Sequence, residues 1–277
     1  MSTFDYIISR LDGIYSPAEA RELAFWVLEE TTGLSRAAIS ACKGTQNISN
    51  IEIILSRLQK KEPIQYIFGH TLWFGLDLLV TKDTLIPRPE TAELVELVLN
   101  TIPSGDAGVS PAKKISVLDI GTGSGAIALA LKSRRPDWQV TGLDISPAAL
   151  AVAEQNARRN NLDVRFLQAD IFSLNLKRST LNVITSNPPY ICESEKSSME
   201  SNVLDYEPSS ALFVSDDDPL LFYRRIASFK AQYLFFEINS RFGAEVAQLM
   251  RDYGYSGVQI HNDIYGKQRM VSGRIEV

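Results

Sequence analysis

The chain has 277 residues, 45% hydrophobic and 22% charged, enough for one large domain with a smaller companion and a packed core. Its formal net charge of -5 and sequence pI near 5.2 deny it the basic excess that binds nucleic acid through phosphate neutralisation, so free DNA or RNA is not an expected partner. Two cysteines, Cys42 and Cys192, in no CxxC spacing, argue against a disulfide framework and a zinc site and fit a reducing cytoplasm. Met1 to Arg10 carries Asp5 and no long apolar run, and no stretch approaches bilayer length, so a soluble protein without a membrane partner is expected.

From Phe4 to about Leu58 apolar residues recur at helical spacing (Leu23, Trp26, Val27; Ile51, Ile54, Leu55, Leu58), punctuated by Ser16-Pro17 and Gly33, which predicts a small helical domain. Past Pro63 the segment Ile64 to Val80 is rich in aromatic and β-branched residues broken by Gly69 and Gly75, the pattern of a hairpin. Pro87-Arg88-Pro89-Glu90 opens a helical stretch through Leu99, and the polar segment Pro103 to Lys114 reads as a loop. Beyond it, short apolar strand candidates (Ile115–Ile120, Val140–Leu143, Val164–Leu167, Asn182–Thr185, Tyr233–Ile238) alternate mostly with helical patterns, the order of a parallel, helix-covered sheet and hence an α/β fold. The polar run Glu193 to Asn202 is expected to be a flap that orders around substrate.

The first candidate site is the run Gly121-Thr122-Gly123-Ser124-Gly125, which follows the strand candidate ending in Asp119-Ile120 and precedes a helix, Ala126 to Lys132. Glycines admit a ligand close to the backbone and allow positive φ, while the helix start offers unpaired N–H groups. With Ala126 the run also satisfies the looser nicotinamide-cofactor pattern, and Asp144, ending the next strand candidate, is placed to bind a ribose hydroxyl in either cofactor class. Asp119 favours S-adenosylmethionine, because a carboxylate there suits a sulfonium and an amino group and repels a pyrophosphate. Asp170, after the third strand candidate, either meets the adenine amino group or caps its own turn.

The second is Asn187-Pro188-Pro189-Tyr190, at the carboxyl end of the fourth strand candidate, where open α/β sheets put reactive groups. A planar nitrogen whose lone pair is delocalised is a poor nucleophile and must be oriented by acceptors. The Asn187 side-chain oxygen and the Pro188 carbonyl can serve, held by the prolines, with Tyr190 as an aromatic wall that excludes water. The bland alternative is a Pro-Pro turn that merely ends a strand.

These residues resemble the (N/D/S)PP(Y/F/W) class of nitrogen methyltransferases. The wider pattern is similar to the protein-(glutamine-N5) methyltransferases that modify peptide chain release factors. The likeness runs through Glu62-Pro63-Ile64-Gln65-Tyr66-Ile67, Phe74-Gly75-Leu76, Leu85-Ile86-Pro87-Arg88-Pro89-Glu90-Thr91, Leu118 to Gly125, Asp144-Ile145-Ser146, Asn187 to Ile191 and Tyr206-Glu207-Pro208. It implies a Rossmann-like class I methyltransferase sheet, mostly parallel with seven strands, over residues 85–277. It also implies a helical substrate-binding domain over 1–62 and a β-hairpin linker over 63–84. The implied reaction is methylation of the glutamine of a Gly-Gly-Gln loop in class 1 release factors with S-adenosylmethionine. By the same resemblance, cofactor contacts fall on Gly121 to Gly125, Asp144, Asp170, Ile171 and Asn187, to which the charge argument adds Asp119, and substrate contacts fall on Asn187, Pro188, Pro189 and Tyr190, with Asn187, Pro188 and Tyr190 catalytic. The sequence departs at Asn239, where such proteins usually carry Gly, and at Ile171, a position that is sometimes aromatic.

The main alternative is an adenine-N6 DNA or RNA methyltransferase, since a base amine is the same planar NH₂; it must extrude its base and hold a backbone, and no basic, aromatic-interleaved region is present. Another is a non-catalytic module keeping cofactor as a structural ligand, against which an intact Asn187 and Tyr190 speak. His70 and His261 lack ligand-spaced neighbours and read as structural or surface groups, no metal site is expected, and Asp216-Asp217-Asp218 reads as charge at a helix start. Arg88 either pairs with an acid near the cofactor or anchors the start of the catalytic domain.

Overall fold

In the computed structural model, which describes residues 1–42, 48–102, 114–175 and 181–276, backbone packing divides the chain into two compact units. One comprises Met1–Gly69 and Glu200–Tyr206, the other His70–Met199 and Glu207–Val277. The loop expected from Pro103 lies, up to residue 113, outside the described residues.

The first unit is helical: α1 (Thr3–Leu11), α2 (Pro17–Thr32), α3 (Arg36–Ala41), α4 (Ile51–Leu58) and α5 (Ile64–Phe68), joined by α9 (Ser201–Tyr206). Its boundaries follow local chemistry. Ser2, Ser16 and Ser35 cap three helix starts, Ser16 in a capping box with Glu19, and Gly33 ends α2 in the left-handed region. Ile7, Leu11, Val27, Leu28, Leu55 and Leu58 meet in its core, and Tyr206 Oη donates to the Lys60 carbonyl at 3.0 Å. The stretch expected to be a hairpin from Ile64 onward is helical over α5. Pro63 precedes that helix, Gly69 at φ 78° ends it, and Ile64, Ile67 and Phe68 pack on the helical core, so tertiary burial overrides their strand-like composition.

The second unit begins with the hairpin β1 (His70–Trp73) and β2 (Leu76–Leu79), then α6 (Pro89–Thr101). The alternation that follows is β3 (Ser116–Ile120), α7 (Ala126–Arg134), β4 (Gln139–Asp144), α8 (Pro147–Arg159), β5 (Arg165–Gln168) and β6 (Val183–Ser186). A short parallel pair, β7 (Ile191–Cys192) and β8 (Phe213–Val214), flanks a 3-10 turn at Glu193–Ser198 and α10 (Ser209–Leu212). The chain closes with α11 (Leu221–Ala227), β9 (Tyr233–Glu237), α12 (Gly243–Asp252), β10 (Ser256–Asn262) and β11 (Gln268–Arg274).

Seven strands form one sheet in the order β10-β11-β9-β6-β3-β4-β5. β3, β4, β5, β6 and β9 run parallel, and β11 is antiparallel to both of its neighbours. Successive residues of the central strands feed opposite faces: Val117, Val183 and Phe235 pack with Leu94, Leu129 and Trp138, while Leu118, Ile184 and Phe236 pack with Tyr223, Val246 and Met250. Strand order reverses at β3, whose neighbours are β4 and β6, and the carboxyl ends there form the crevice where such sheets take ligands.

Asn156 of α8, fully buried, fastens the hairpin to this sheet unit. It accepts from Leu79 N at 2.6 Å and donates to the carbonyls of Leu79 at 3.0 Å and Ser124 at 2.9 Å. Asn156→Ala is expected to lower the unfolding free energy by roughly 2–4 kcal/mol, because it strands buried backbone groups without partners. Urea denaturation reads this directly, and a loss too small to measure would show that these groups find other partners.

No helix among the described residues is long and apolar enough to cross a membrane.

Candidate functional site

The loop after β3 turns so tightly that Gly121, Gly123 and Gly125 all have positive φ, 72°, 55° and 83°. At Gly125 a side chain would also meet the Ala153 Cβ and Leu129 Cδ1 at 3.2 Å, so only glycine starts α7 at this packing distance. On the neighbouring strand, a Cβ at Gly142 would come within 2.7 Å of the Thr122 hydroxyl, which is how the loop folds over β4. Gly121 N and Thr122 N donate to the Leu143 carbonyl at 2.8 and 3.0 Å. The Gly123 N–H donates to Asp144 Oδ2 at 2.8 Å, and the other carboxylate oxygen accepts from Ser146 N at 2.9 Å.

Asp119 stands behind this loop. It is fully buried, in register with Thr185 of β6, and accepts from the hydroxyls of Thr122 at 2.6 Å and Thr185 at 3.2 Å. Its side chain therefore shapes the loop from within, and the residue is not part of the cavity wall. Burial pushes its carboxyl up to about 6 from the ordinary 3.8, with the nearby Asp144 charge adding to the rise. Because the folded-state value is the higher one, the stability that protonated Asp119 contributes is complete below about pH 4 and is lost as pH rises through about 6, roughly 3 kcal/mol in all. Melting temperatures of native protein and Asp119→Asn across pH 4 to 7 are expected to converge or cross in that window. Parallel curves would mean that the carboxyl is not perturbed.

In front of the loop lies a cavity of about 540 Å³, within the range of small-molecule sites. Gly121, Thr122, Gly123, Ser124, Asp144, Asp170, Ile171, Asn187, Pro188 and Pro189 line it, whereas Gly125 and Tyr190 do not. Asp170 caps its own turn, its Oδ1 accepting from Phe172 N at 2.9 Å, and it also borders the cavity. Several lining residues were given no site role from sequence, Ile145 and Phe172 among them. Ile145 and Phe172 are apolar yet 62% and 45% exposed, so each offers the cavity an apolar surface. Their signal in sequence was position alone, directly after the acid ending β4 and within the turn after β5. A carboxylate at the cavity wall, a side-chain-free glycine loop that lets a ligand approach the backbone, and apolar flanks for a flat base are together a fit for S-adenosylmethionine.

The tetrapeptide leaves β6 at the far wall. Asn187 Nδ2 donates to Thr91 Oγ1 at 3.3 Å, and the Thr91 hydroxyl donates to Glu237 Oε2 at 2.7 Å. The hydroxyl of Tyr190 donates to Glu237 Oε1 at 3.1 Å, so the ring that was expected to wall the cavity turns into the protein instead. Burial raises both the Tyr190 phenol and the Glu237 carboxyl above their ordinary values. Asn239, the departure noted above, donates from Nδ2 to the Tyr190 carbonyl at 3.1 Å and to Glu195 Oε2 at 2.9 Å. Glu195 also accepts from Cys192 N at 2.9 Å, so the beginning of the expected flap is bonded to the tetrapeptide's exit. Thr91 and Glu237 were passed over in sequence, although an acid ending an apolar strand must be buried and therefore partnered.

Arg88 pairs with Glu207, whose side chain is 1% exposed, at 2.5 Å, and Glu207 Oε2 also accepts from Ile86 N at 3.4 Å. Trp73 Nε1 donates to the Arg88 carbonyl at 2.8 Å. The Pro-Arg-Pro stretch is thus anchored from both ends as it leads into α6 and presents Thr91. His70 bonds Asp77 and His261 bonds Ser272. Within the acid run before α11, Asp218 pairs with Arg224 on that helix at 2.7 Å.

The methyltransferase domain family matches residues 111–250. A release factor glutamine methyltransferase of Bacteroides thetaiotaomicron is 40% identical over 282 residues, spanning 96% of this chain and 97% of its own. One from Flavobacterium psychrophilum is 38% identical over 274 residues, 95% of each. Among solved structures, a human methyltransferase 10 domain containing protein shares the fold at TM-score 0.53 and 16% identity, over 81% of this chain and 95% of that one. The catalytic domain of hMettl16 does so at TM-score 0.58 and 15% identity, over 74% and 77%. With a seven-stranded methyltransferase sheet, a glycine-loop cavity and relatives alike over nearly its whole length, this chain belongs to the release factor glutamine methyltransferase family.

Proposed function

We propose that this protein methylates the side-chain amide nitrogen (N5) of the glutamine in the Gly-Gly-Gln loop of a class 1 peptide chain release factor. The observation that carries this reading is the orientation of Asn187. One N–H of its amide donates to Thr91 at 3.3 Å, and Asn187 and Pro188 both line the cavity, so the Asn187 Oδ1 and the Pro188 carbonyl are the two acceptors proposed to meet the substrate there. Two acceptors so placed take the two protons of a planar NH₂ and turn its face toward the cofactor.

S-adenosylmethionine supplies an electrophilic methyl group on a sulfonium. Gly121 to Ser124 and Asp144 would hold its amino acid and ribose parts, and Asp170 with Ile145, Ile171 and Phe172 would receive the adenine. Asn187 and Pro188 orient the amide, whose nitrogen becomes acidic only as it gains positive character. The proton then leaves late, toward an Asn187 or Pro188 oxygen or water, and no general base of low pKa is required beforehand. Tyr190 braces the tetrapeptide through Glu237. The helical domain of residues 1–62 grips the factor, residues 63–84 link it, and residues 85–277 carry the chemistry, in the cytoplasm and without free nucleic acid as substrate.

The test is transfer of labelled methyl from S-adenosylmethionine to a purified class 1 release factor, run beside a factor whose Gly-Gly-Gln glutamine is replaced by alanine. Label only in the unaltered factor supports the reading. Label instead in unmethylated DNA or RNA would replace it with base methylation.

A further inference from the structure

The buried carboxylate of Glu237 touches neither the cavity nor the cofactor loop, yet two hydroxyls from different elements converge on it. One belongs to Thr91 in the first turn of α6, the other to Tyr190 at the end of the tetrapeptide. We infer that Glu237 and Thr91 are positioning residues that set which end of the Asn187 carboxamide faces the substrate.

The argument is one of donors and acceptors. The Thr91 hydroxyl donates to Glu237 Oε2 and the Tyr190 hydroxyl to Oε1, so each hydroxyl proton is committed to the carboxylate. With its single proton committed, Thr91 Oγ1 offers only lone pairs to Asn187 and therefore selects the NH₂ end. Oδ1 is thereby turned to the substrate. Both ends of a carboxamide have the same shape, so packing cannot make this choice; the proton order can. A reversed Asn187 would present NH₂ to the substrate NH₂, donor against donor. Glu237 sits on β9 and Asn187 directly after β6, its parallel neighbour, so the sheet itself holds the two ends of the relay in place. This rests on the amide-methylation reading above.

The test compares Thr91→Val, Thr91→Ser and Glu237→Gln in steady-state methyl transfer to a release factor, with cofactor affinity measured calorimetrically on each variant. Valine keeps the shape and removes the relay, whereas serine keeps the hydroxyl and removes the methyl group. The expected result is a fall in kcat of roughly 10- to 100-fold for Thr91→Val, the range of outer partners that orient a reacting side chain. Thr91→Ser is expected to stay within about threefold of native, with cofactor Kd unchanged in both. Glu237→Gln, which can still present its oxygen to Thr91 and its NH₂ to the Tyr190 hydroxyl, is expected to lower kcat less than Thr91→Val does. Equal kcat for native and Thr91→Val, equal losses for valine and serine, or a loss appearing only in cofactor Kd would each overturn the relay. Failure of the native enzyme to methylate the factor would overturn the function and the relay with it, so the two failures are distinguishable.

Discussion

Asn187→Ala is expected to reduce methyl transfer roughly 10²–10³-fold, the cost of removing one preorganised partner of a reacting group, while cofactor Kd moves by no more than about threefold. Alanine deletes the acceptor that Thr91 holds toward the substrate but leaves the cofactor loop intact: Gly121 and Thr122 still donate to the Leu143 carbonyl, and Asp144 still receives Gly123 and Ser146. The backbone path is also kept, because Ser186 bonds the Ile120 carbonyl at 2.7 Å and Asn239 holds the Tyr190 carbonyl. Single-turnover rates with saturating cofactor, beside calorimetric titration with S-adenosylhomocysteine, separate chemistry from binding. A Kd that rises as far as kcat falls would make Asn187 a wall of the cofactor site and not an orienting group.

Asp144→Ala is expected to do the reverse: cofactor Kd rises about 100-fold, roughly 2.7 kcal/mol, and kcat at saturation stays within a few-fold of native. Two losses add up here. Asp144 lines the cavity, and in the proposed cofactor site its carboxylate would accept from ribose hydroxyls, where each charge-assisted bond contributes on the order of 1.5–3 kcal/mol. It also holds the Gly123 amide and the start of α8 through Ser146, so its removal loosens the loop that receives the cofactor. Asp144→Asn, which keeps an acceptor without the charge, is expected to fall between native and alanine. A Kd for Asp144→Ala indistinguishable from native would assign the carboxylate to loop folding alone.

Much of this architecture was legible because local chemistry and global burial agree. The five parallel strands were marked by short apolar runs between helical patterns, and each was found within about two residues of its expected limits. The terminal hairpin of β10 and β11 was not marked. β10 carries Gly257 and is exposed along much of its length, so its residues show no clean alternation, and it is pairing with β11 rather than composition that makes it a strand. The opposite error arose at Ile64–Phe68, where strand-like residues are helical because Pro63 and Gly69 bracket one turn packed on the helical core.

By itself the sequence determined the glycine loop, the acid after β4 and the Asn-Pro-Pro-Tyr turn, because each is a short run whose backbone demands and polar groups are contained in its own residues. Only the tertiary structure decided what stands around them. It put Asp119 behind the loop, its oxygens taken by Thr122 and Thr185. It turned Tyr190 away from the cavity onto Glu237, paired Arg88 with Glu207 across 119 residues of chain, and joined Thr91 to Glu237 across 146. The physical reason is that a buried charge or hydroxyl must find a partner wherever the fold brings one, and strand order, which no local pattern encodes, determines which distant residue that is.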